Sequence, residues 1–461
     1  MAQDKLKADI RQLWNWSDPI SRMSYLAIGL VLLAIKIHLD RYLLLRLSEL
    51  DRSAGIRLTF DFYRLADVPK DETTIYGVLL LASLPFLYLG LMLTVRRMRS
   101  VGLSPWFSLL LFVPGLNVLL VLFLCILPPE TSGSVGERMP WLDRLIPDDL
   151  FGSAAMSILL IMPPAVLVVT VITEVFHYYG PSLFFGVPFV VGCGSVFLYG
   201  YHEQRSVHQS ILVSCCSIFM LGLFLLVFAL EGIICLIVVS PMALVFGGVA
   251  GVFGHALQAL SPARTWMLLF LFLSLPLVAG LEKAGSPGPP ELEVTSSVVV
   301  DAPPETVWKH LTSSTKLPPP DHWMFDMGIG YPIWSRLDET GKGSKRRCKF
   351  STGVFVEDIT TWNPPDRLAF TVRKHPPAMK ELSPYGPIDT PHQDNFYYST
   401  GGEFRLRRLS QGRTRLSRTT WYHLNFHPVA YWRLWTDRIV HQIHLRVLRH
   451  IRRQAEMDGK R

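Results

Sequence analysis

The sequence predicts a block of membrane-spanning helices followed by a separate α+β domain. Three observations carry this reading. Eight apolar runs, each close to the roughly 20 helical residues that cross a bilayer core, occupy the first 281 residues. Charge is unevenly divided: residues 1–281 hold 18 basic and 18 acidic groups, whereas 282–461 hold 27 and 19 and so carry the whole net charge of +8. After residue 291 the pattern changes to short alternating runs closed by one long amphipathic segment. With 49% apolar and 18% charged residues and a mean hydropathy of +0.29, a disordered, collagen-like or simple cytosolic chain is excluded.

The apolar runs cover about 22–44, 74–95, 105–127, 153–174, 181–200, 209–230, 232–256 and 264–281. The first is interrupted by Lys36, His38, Asp40 and Arg41, of which the lysine and arginine are expected to snorkel toward the headgroups. Its polar leader of eighteen residues and the lack of a small-residue cleavage site make it a retained anchor rather than a signal peptide. Eight spans put both termini on one side. Lys5, Lys7 and Arg11 before the first run, and Arg96, Arg97 and Arg99 after the second, place that side in the cytoplasm, with the C-terminal domain. The 45–73 loop dissents mildly, its five basic residues being offset by six acidic ones. Only five charges lie between 153 and 281, and Glu231 is the one set between two apolar runs. An ionisable group at such a position points to function, while a glutamate at a tight interfacial turn beside Gly232 is the plainer reading. Gly247, Gly248, Gly251 and Gly254 suit close helix packing.

Residues 282–291, EKAGSPGPPE, form a proline- and glycine-rich linker that cannot continue a helix. Beyond it, 293–300 reads as a strand. Asp301 is placed to cap a helix opening at Pro303-Pro304 and running through Val307, Trp308 and Leu311. The runs 345–361, 366–373, 398–409 and 413–424 have strand composition. The last segment, 428–455, gathers Trp432, Trp435, Ile439, Val440, Ile443, Val447 and Ile451 on one helical face. The expected domains are therefore 1–130, 131–281, the linker 282–291, and 292–461. Five cysteines lie in apolar runs and Cys348 stands alone, with no paired spacing, so neither a disulfide framework nor a metal site is expected, and no cofactor.

The phrases WSDPISRMSY and RRMRSVGLSPWFSLLLFVPGLNVLLVLFLCILP, with Arg96, Arg97, Gly102 and Trp106, resemble DUF family 805, a small bacterial membrane domain of unknown function. That resemblance implies a multi-pass protein of a bacterial inner membrane and no known activity. Strand, short helix, antiparallel strands and long terminal helix follow the helix-grip order. The phrases EVTSSVVVDAPPETVWKHLTS, GKGSKRRCKFSTGVFVEDITTWNPPDRLAFTV and GEFRLRRLSQGRTRLSRTTWYHL resemble the SRPBCC superfamily, with its START-like and polyketide cyclase-like members. The resemblance implies an antiparallel sheet wrapped on the helix around an apolar cavity, and leaves the reaction open.

Trp323, Phe325, Tyr331, Phe350, Phe355, Trp362, Trp421 and Tyr422 are the expected walls for an apolar ligand, with a plain structural core as the other reading of each. Arg346 can hold a ligand carboxylate, or pair internally with Glu357. Asp437, His441 and His444 share a helix face, so Asp437 or His441, or else His423, is the candidate general base of an enzyme. Hydrogen-bonded or solvated residues are the plainer reading. The proline-rich segment 373–397 reads as an ordered loop over a cavity mouth. Arg405, Arg407, Arg408, Arg413, Arg415 and Arg418 are expected to face anionic headgroups, and interleaved acids argue against nucleic acid. Three functions stay open: a membrane-anchored binder of a lipid or other hydrophobic small molecule, a cyclase- or dehydratase-like enzyme, and a transporter or sensor with Glu231 on its path.

Overall fold

The structure is a computed structural model and describes residues 16, 18–47, 73–113, 116–126, 140–258, 266–286, 288–320, 322–393 and 396–458. Expectations for Lys5, Lys7 and Arg11, and for nearly all of the 45–73 loop, lie outside the described residues. The chain divides into two compact units, one of Met1–Phe224 with Val239–Ser286, the other of Leu225–Val238 with Pro287–Arg461.

The first unit is helical. Its principal helices are α1 (Arg22–Leu47), α2 (Thr73–Ser100), α3 (Leu116–Ile126), α4 (Pro140–Leu145), α5 (Leu150–Thr170), α6 (Val187–Tyr199), α7 (Val207–Val227), α8 (Ile233–Gln258) and α9 (Trp266–Gly285), of which the end of α7 from Leu225 and the start of α8 to Val238 belong to the second unit. Single π-turns extend α5 to Val175 and precede α6 from Ser182. Among the described residues six helices are long and apolar enough to cross a membrane, not the eight expected from the apolar runs. The 105–127 run is the clearest departure. Its described residues form a 3-10 helix, Pro105–Phe112, which opens on Pro105 where no backbone donor is needed, and the short α3. Lys36 does not snorkel: it is buried and ion-paired with Asp40 one turn on. Arg97 is not a loop charge either. It is fully buried and donates to Leu124 O at 3.0 Å, Ile20 O at 3.3 Å and Ser100 Oγ at 2.7 Å, while Arg96 and Arg99 donate to the carbonyls of Asp18 and Trp16. Gly251 does mark a close approach, since a Cβ there would lie 2.6 Å from the Ile211 Cα.

The second unit contains β1 (Glu291–Val300), α10 (Pro304–Thr312), β2 (Thr315–Lys316), α11 (Trp323–Asp326), β3 (Pro332–Leu337), β4 (Lys345–Phe350), β5 (Val354–Asn363), β6 (Arg367–Lys374), β7 (Glu381–Ser383), β8 (Gly386–Ile388), β9 (Tyr397–Arg408), β10 (Thr414–Leu424) and α12 (Val429–Asp458). The expected 345–361 strand is two strands, turned back at 351–353 by paired Phe350–Gly353 backbone bonds. Asp301 does not cap α10, whose N-cap is Pro303 without a side-chain bond. The Asp301 backbone N–H instead donates to Glu456.

Eight strands form one antiparallel sheet in the order β1-β10-β9-β6-β5-β4-β3-β2, so the first strand lies beside the last. Period-two alternation sets which face is inward. Along β10, Thr414, Leu416, Arg418, Thr420, Tyr422 and Leu424 are buried, and the residues between them are more exposed. Gly402 faces Phe370 across the ladder. A Cβ on Gly402 would come within 2.8 Å of the Phe370 ring and 2.7 Å of the Thr419 carbonyl, so only glycine fits. The second half of α12 and α10 bury Leu448, Ile451, Ala455, Val307, Trp308 and Leu311 against Phe370, Phe404, Leu406 and Leu416. The first half of α12 packs Ile439 and Ile443 against a smaller cluster of Ile234, Met324, Phe325 and Ile329, and a cavity opens beside it.

Candidate functional site

The cavity has a volume of about 140 Å³. A dry, apolar space of about this size holds a benzene-sized molecule. Phe350 of β4, Phe355 of β5, Phe370 and Val372 of β6 and Leu424 of β10 supply the sheet side. Trp432, Trp435, Ile439, Val440 and Ile443 supply the helix side, because they recur on one face of α12. Pro377, Ala378 and Met379, from the proline-rich segment, and Ile234, Cys235 and Val238 complete the wall. Among its described residues, the 373–397 segment holds the β7–β8 hairpin and the Ile329–Met379 bridge.

Polar groups are few: Glu357 of β5, Tyr397 and Ser399 of β9, Arg418 and Thr420 of β10, and Thr436 and His444 of α12. Behind them, Arg346 donates to Glu357 Oε2 at 2.5 Å and lies over the Phe370 ring at 4.4 Å. Burial works against the Arg346 charge, but the Cys348 sulfur and Glu357 carboxylate outweigh it and push the guanidinium above its usual range. The Cys348 thiol is pushed up to about 11, chiefly by burial, and is no nucleophile at neutral pH.

Arg418 differs from Arg346. It is 9% exposed, lines the cavity, and its Nε has no hydrogen-bond partner. Its contact is the Phe404 ring, 5.2 Å from the guanidinium carbon. Burial, and then the like charge of Arg346, pulls it down to about 10. It is still a cation at neutral pH. Two guanidiniums thus share one carboxylate, and the cavity floor holds one uncompensated positive charge.

His444 is fully buried with both ring nitrogens engaged, Nδ1 with Ser296 Oγ at 3.0 Å and Nε2 with Thr420 Oγ1 at 2.7 Å. Burial, reinforced by Arg418 and His441, drives its pKa down to about 2, so the ring is neutral. The three candidate bases lie elsewhere. Asp437 accepts from Tyr422 Oη at 2.5 Å and Arg433 Nε at 3.2 Å, His441 engages Ser296 Oγ at 2.7 Å, and His423 engages Pro289 O at 2.9 Å. None of them lines the cavity.

Of the expected walls, Phe350 and Phe355 line the cavity. Trp323 is 58% exposed, Trp362 packs edge-on to Trp308 in the core, and Trp421 points away from the cavity with Nε1 on Glu293. Phe325 and Tyr331 belong to a neighbouring cluster with Ile234, Met324 and Ile329, and Tyr422 serves Asp437. Arg346 is committed to Glu357. The missed residue is Arg418, expected on the surface. The signal was present, since Leu416, Arg418, Thr420 and Tyr422 alternate on one strand face.

Glu231 lies in the turn between α7 and α8, nearly buried, with Oε2 at 3.6 Å from His392 Nδ1. Burial lowers the His392 pKa, but Glu381 and Glu231 outweigh it and raise it overall.

Residues 13–135 match the family described as "Protein of unknown function (DUF805)". No curated protein matches the chain in sequence. Solved structures similar to the C-terminal part include the Zhui aromatase/cyclase of Streptomyces sp. R1128, at 15% identity over 37% of this chain and 98% of that one, with a TM-score of 0.24. A norcoclaurine synthase point mutant of Thalictrum flavum is 10% identical over 38% and 100%, with a TM-score of 0.25. The Aha1 dimer of Colwellia psychrerythraea is 15% identical over 34% and 96%, with a TM-score of 0.20. By its own sheet order and terminal helix, the second unit has a helix-grip-like fold. The chain couples it to apolar membrane-type helices whose N-terminal region resembles DUF805.

Proposed function

We propose that this is a multi-pass membrane protein whose C-terminal domain binds a small anionic amphiphile. Its acidic group rests on Arg418, and its apolar body lies against Phe350, Phe370, Trp432 and Ile439. The carrying observation is Arg418, a buried cation at a cavity wall without a carboxylate of its own. A buried charge is expensive unless paired, and a ligand carboxylate or phosphate supplies the missing partner. Binding rather than turnover fits the site best, because Asp437, His441 and His423 are engaged outside the cavity. The helical block then serves as the anchor, the domain lies on the cytoplasmic side of a bacterial inner membrane, and its ligand comes from or enters that membrane.

The test is mass spectrometry of organic molecules extracted from the full chain purified in mild detergent, compared with an Arg418→Met chain. Wild type should carry an acidic amphiphile in near-stoichiometric amount, and the variant should lose it. A neutral molecule retained equally by both chains would overturn the reading.

A further inference from the structure

Four metal-competent side chains meet outside the polar floor of the cavity. Glu231, Cys235 and His392 present donor atoms within 4.8 Å of one another. Glu381 joins them, with Oε1 at 2.7 Å from Cys235 Sγ and 3.0 Å from His392 Nε2, and Cys235 Sγ is 3.1 Å from the same ring nitrogen. Glu381 is fully buried, and its second oxygen has no hydrogen-bond partner. That oxygen is wedged against Gly232, where an added Cβ would stand only 1.7 Å away. A buried carboxylate oxygen left without a partner is costly. From donors and spacing we propose that Cys235 Sγ, His392 Nε2 and Glu381 bind a divalent transition ion of the zinc class, with Glu231 orienting the imidazole through Nδ1.

The donor set fits that class. Thiolate with imidazole selects zinc-like ions over magnesium or calcium, and a carboxylate on the far ring nitrogen is the usual support of a metal-bound histidine. Bond lengths of about 2.0–2.3 Å imply tetrahedral donor separations of roughly 3.4–3.6 Å. The observed sides of 2.7, 3.0 and 3.1 Å must therefore open by roughly 0.3–0.9 Å, most between Cys235 and Glu381, to admit the ion. Ligation forms a metal–sulfur and a metal–nitrogen bond and releases the thiol proton, and any proton on Nε2, to solvent. The ion would fasten the turn before α8 to β7 and the 391–393 turn. No sequence spacing announces such a site, because its donors lie about 150 positions apart.

The test is cobalt titration of the chelator-stripped full chain in lipid nanodiscs, followed by zinc displacement. Wild type should bind one equivalent of Co²⁺ with the ultraviolet charge-transfer band of a thiolate ligand, and Zn²⁺ should abolish that band. Cys235→Ser should lose the band. His392→Gln and Glu381→Gln should weaken binding by ~10-fold or more. Cys216→Ser, at an exposed cysteine, should behave as wild type. Zn²⁺ should also raise the melting temperature of wild type and of Cys216→Ser, and of neither His392→Gln nor Cys235→Ser. No thiolate band in wild type, or equal bands in wild type and Cys235→Ser, would overturn the proposal.

Discussion

The charge arrangement beneath the cavity makes two substitutions act in opposite directions. Arg346 and Arg418 share Glu357, giving a local charge of +1. Glu357→Gln would raise that to +2 and leave Arg346 without its 2.5 Å partner. Removing one member of a buried pair costs about 3–5 kcal/mol. Arg418→Met instead brings the local charge to zero. It loses the 5.2 Å contact with the Phe404 ring, an interaction worth about 0.5–2 kcal/mol. It also relieves the burial of an unpaired ion, which carries a penalty of several kcal/mol. The relief is the larger quantity, so the variant should be as stable as wild type or more so. At about 2–4 °C per kcal/mol for a domain of this size, Glu357→Gln should lower the domain's melting temperature by roughly 6–20 °C. Arg418→Met should not lower it. Tryptophan-fluorescence melting of the full chain in detergent, after the bound amphiphile has been stripped so that it adds no stability of its own, gives both numbers, and the double variant should recover most of the Glu357→Gln loss. A Glu357→Gln chain as stable as wild type, or an Arg418→Met chain several degrees less stable, would refute this charge assignment.

Other expectations follow from the same geometry. His444 stays neutral in the folded domain down to about pH 2, whereas the unfolded ring takes up a proton near its usual value of 6.5. Stability should therefore fall as pH drops below about 6.5, by about 1.4 kcal/mol per pH unit from this group. His444→Gln, followed by denaturant unfolding at pH 4–7, should remove that share of the slope; an unchanged slope would show that His444 is charged when folded. Leu448→Ala, in the core at no exposure, should cost about 2–5 kcal/mol in the same unfolding experiment. Reporter fusions after residues 100 and 285 should both read as cytoplasmic, and an external signal at 285 would reverse the proposed sidedness.

Much of the second unit was legible in the sequence because period two and period 3.6 are written into its side chains. The α12 stripe from Trp432 to Ile451 is the clearest case, and its inward turn is what closes the cavity. Arg418 was readable from the alternation of β10, but the phrase RLRRLSQGRTRLSR looks like a solvated basic surface unless each position is assigned to a face. Trp362 was harder, since the ladder slips between Ile359 and Thr361 and simple alternation fails there. Bulges of this kind move a side chain without any strong local signal. Six helices among the described residues are long and apolar enough to cross, and apolar length alone does not register that 105–127 holds a 3-10 helix and a separate short helix. Arg96, Arg97 and Arg99 looked like a loop cluster, yet their hydrogen bonds to carbonyls at 16, 18, 20 and 124 are tertiary and have no period to reveal them. The meeting of Cys235 with Glu381 and His392 depends on tertiary folding in the same way.

Competition between octanoate and 1-octanol for a bound apolar fluorophore, measured on the full chain in nanodiscs near neutral pH, tests most directly whether Arg418 anchors an acidic ligand. A hydrogen bond to a charged group contributes about 1.5–3 kcal/mol, or roughly 10- to 150-fold in affinity. Octanoate should bind more tightly than octanol by a factor in that range, and Arg418→Met should abolish the preference while leaving octanol binding intact. Equal affinities for the acid and the alcohol in the wild-type chain would contradict the assignment.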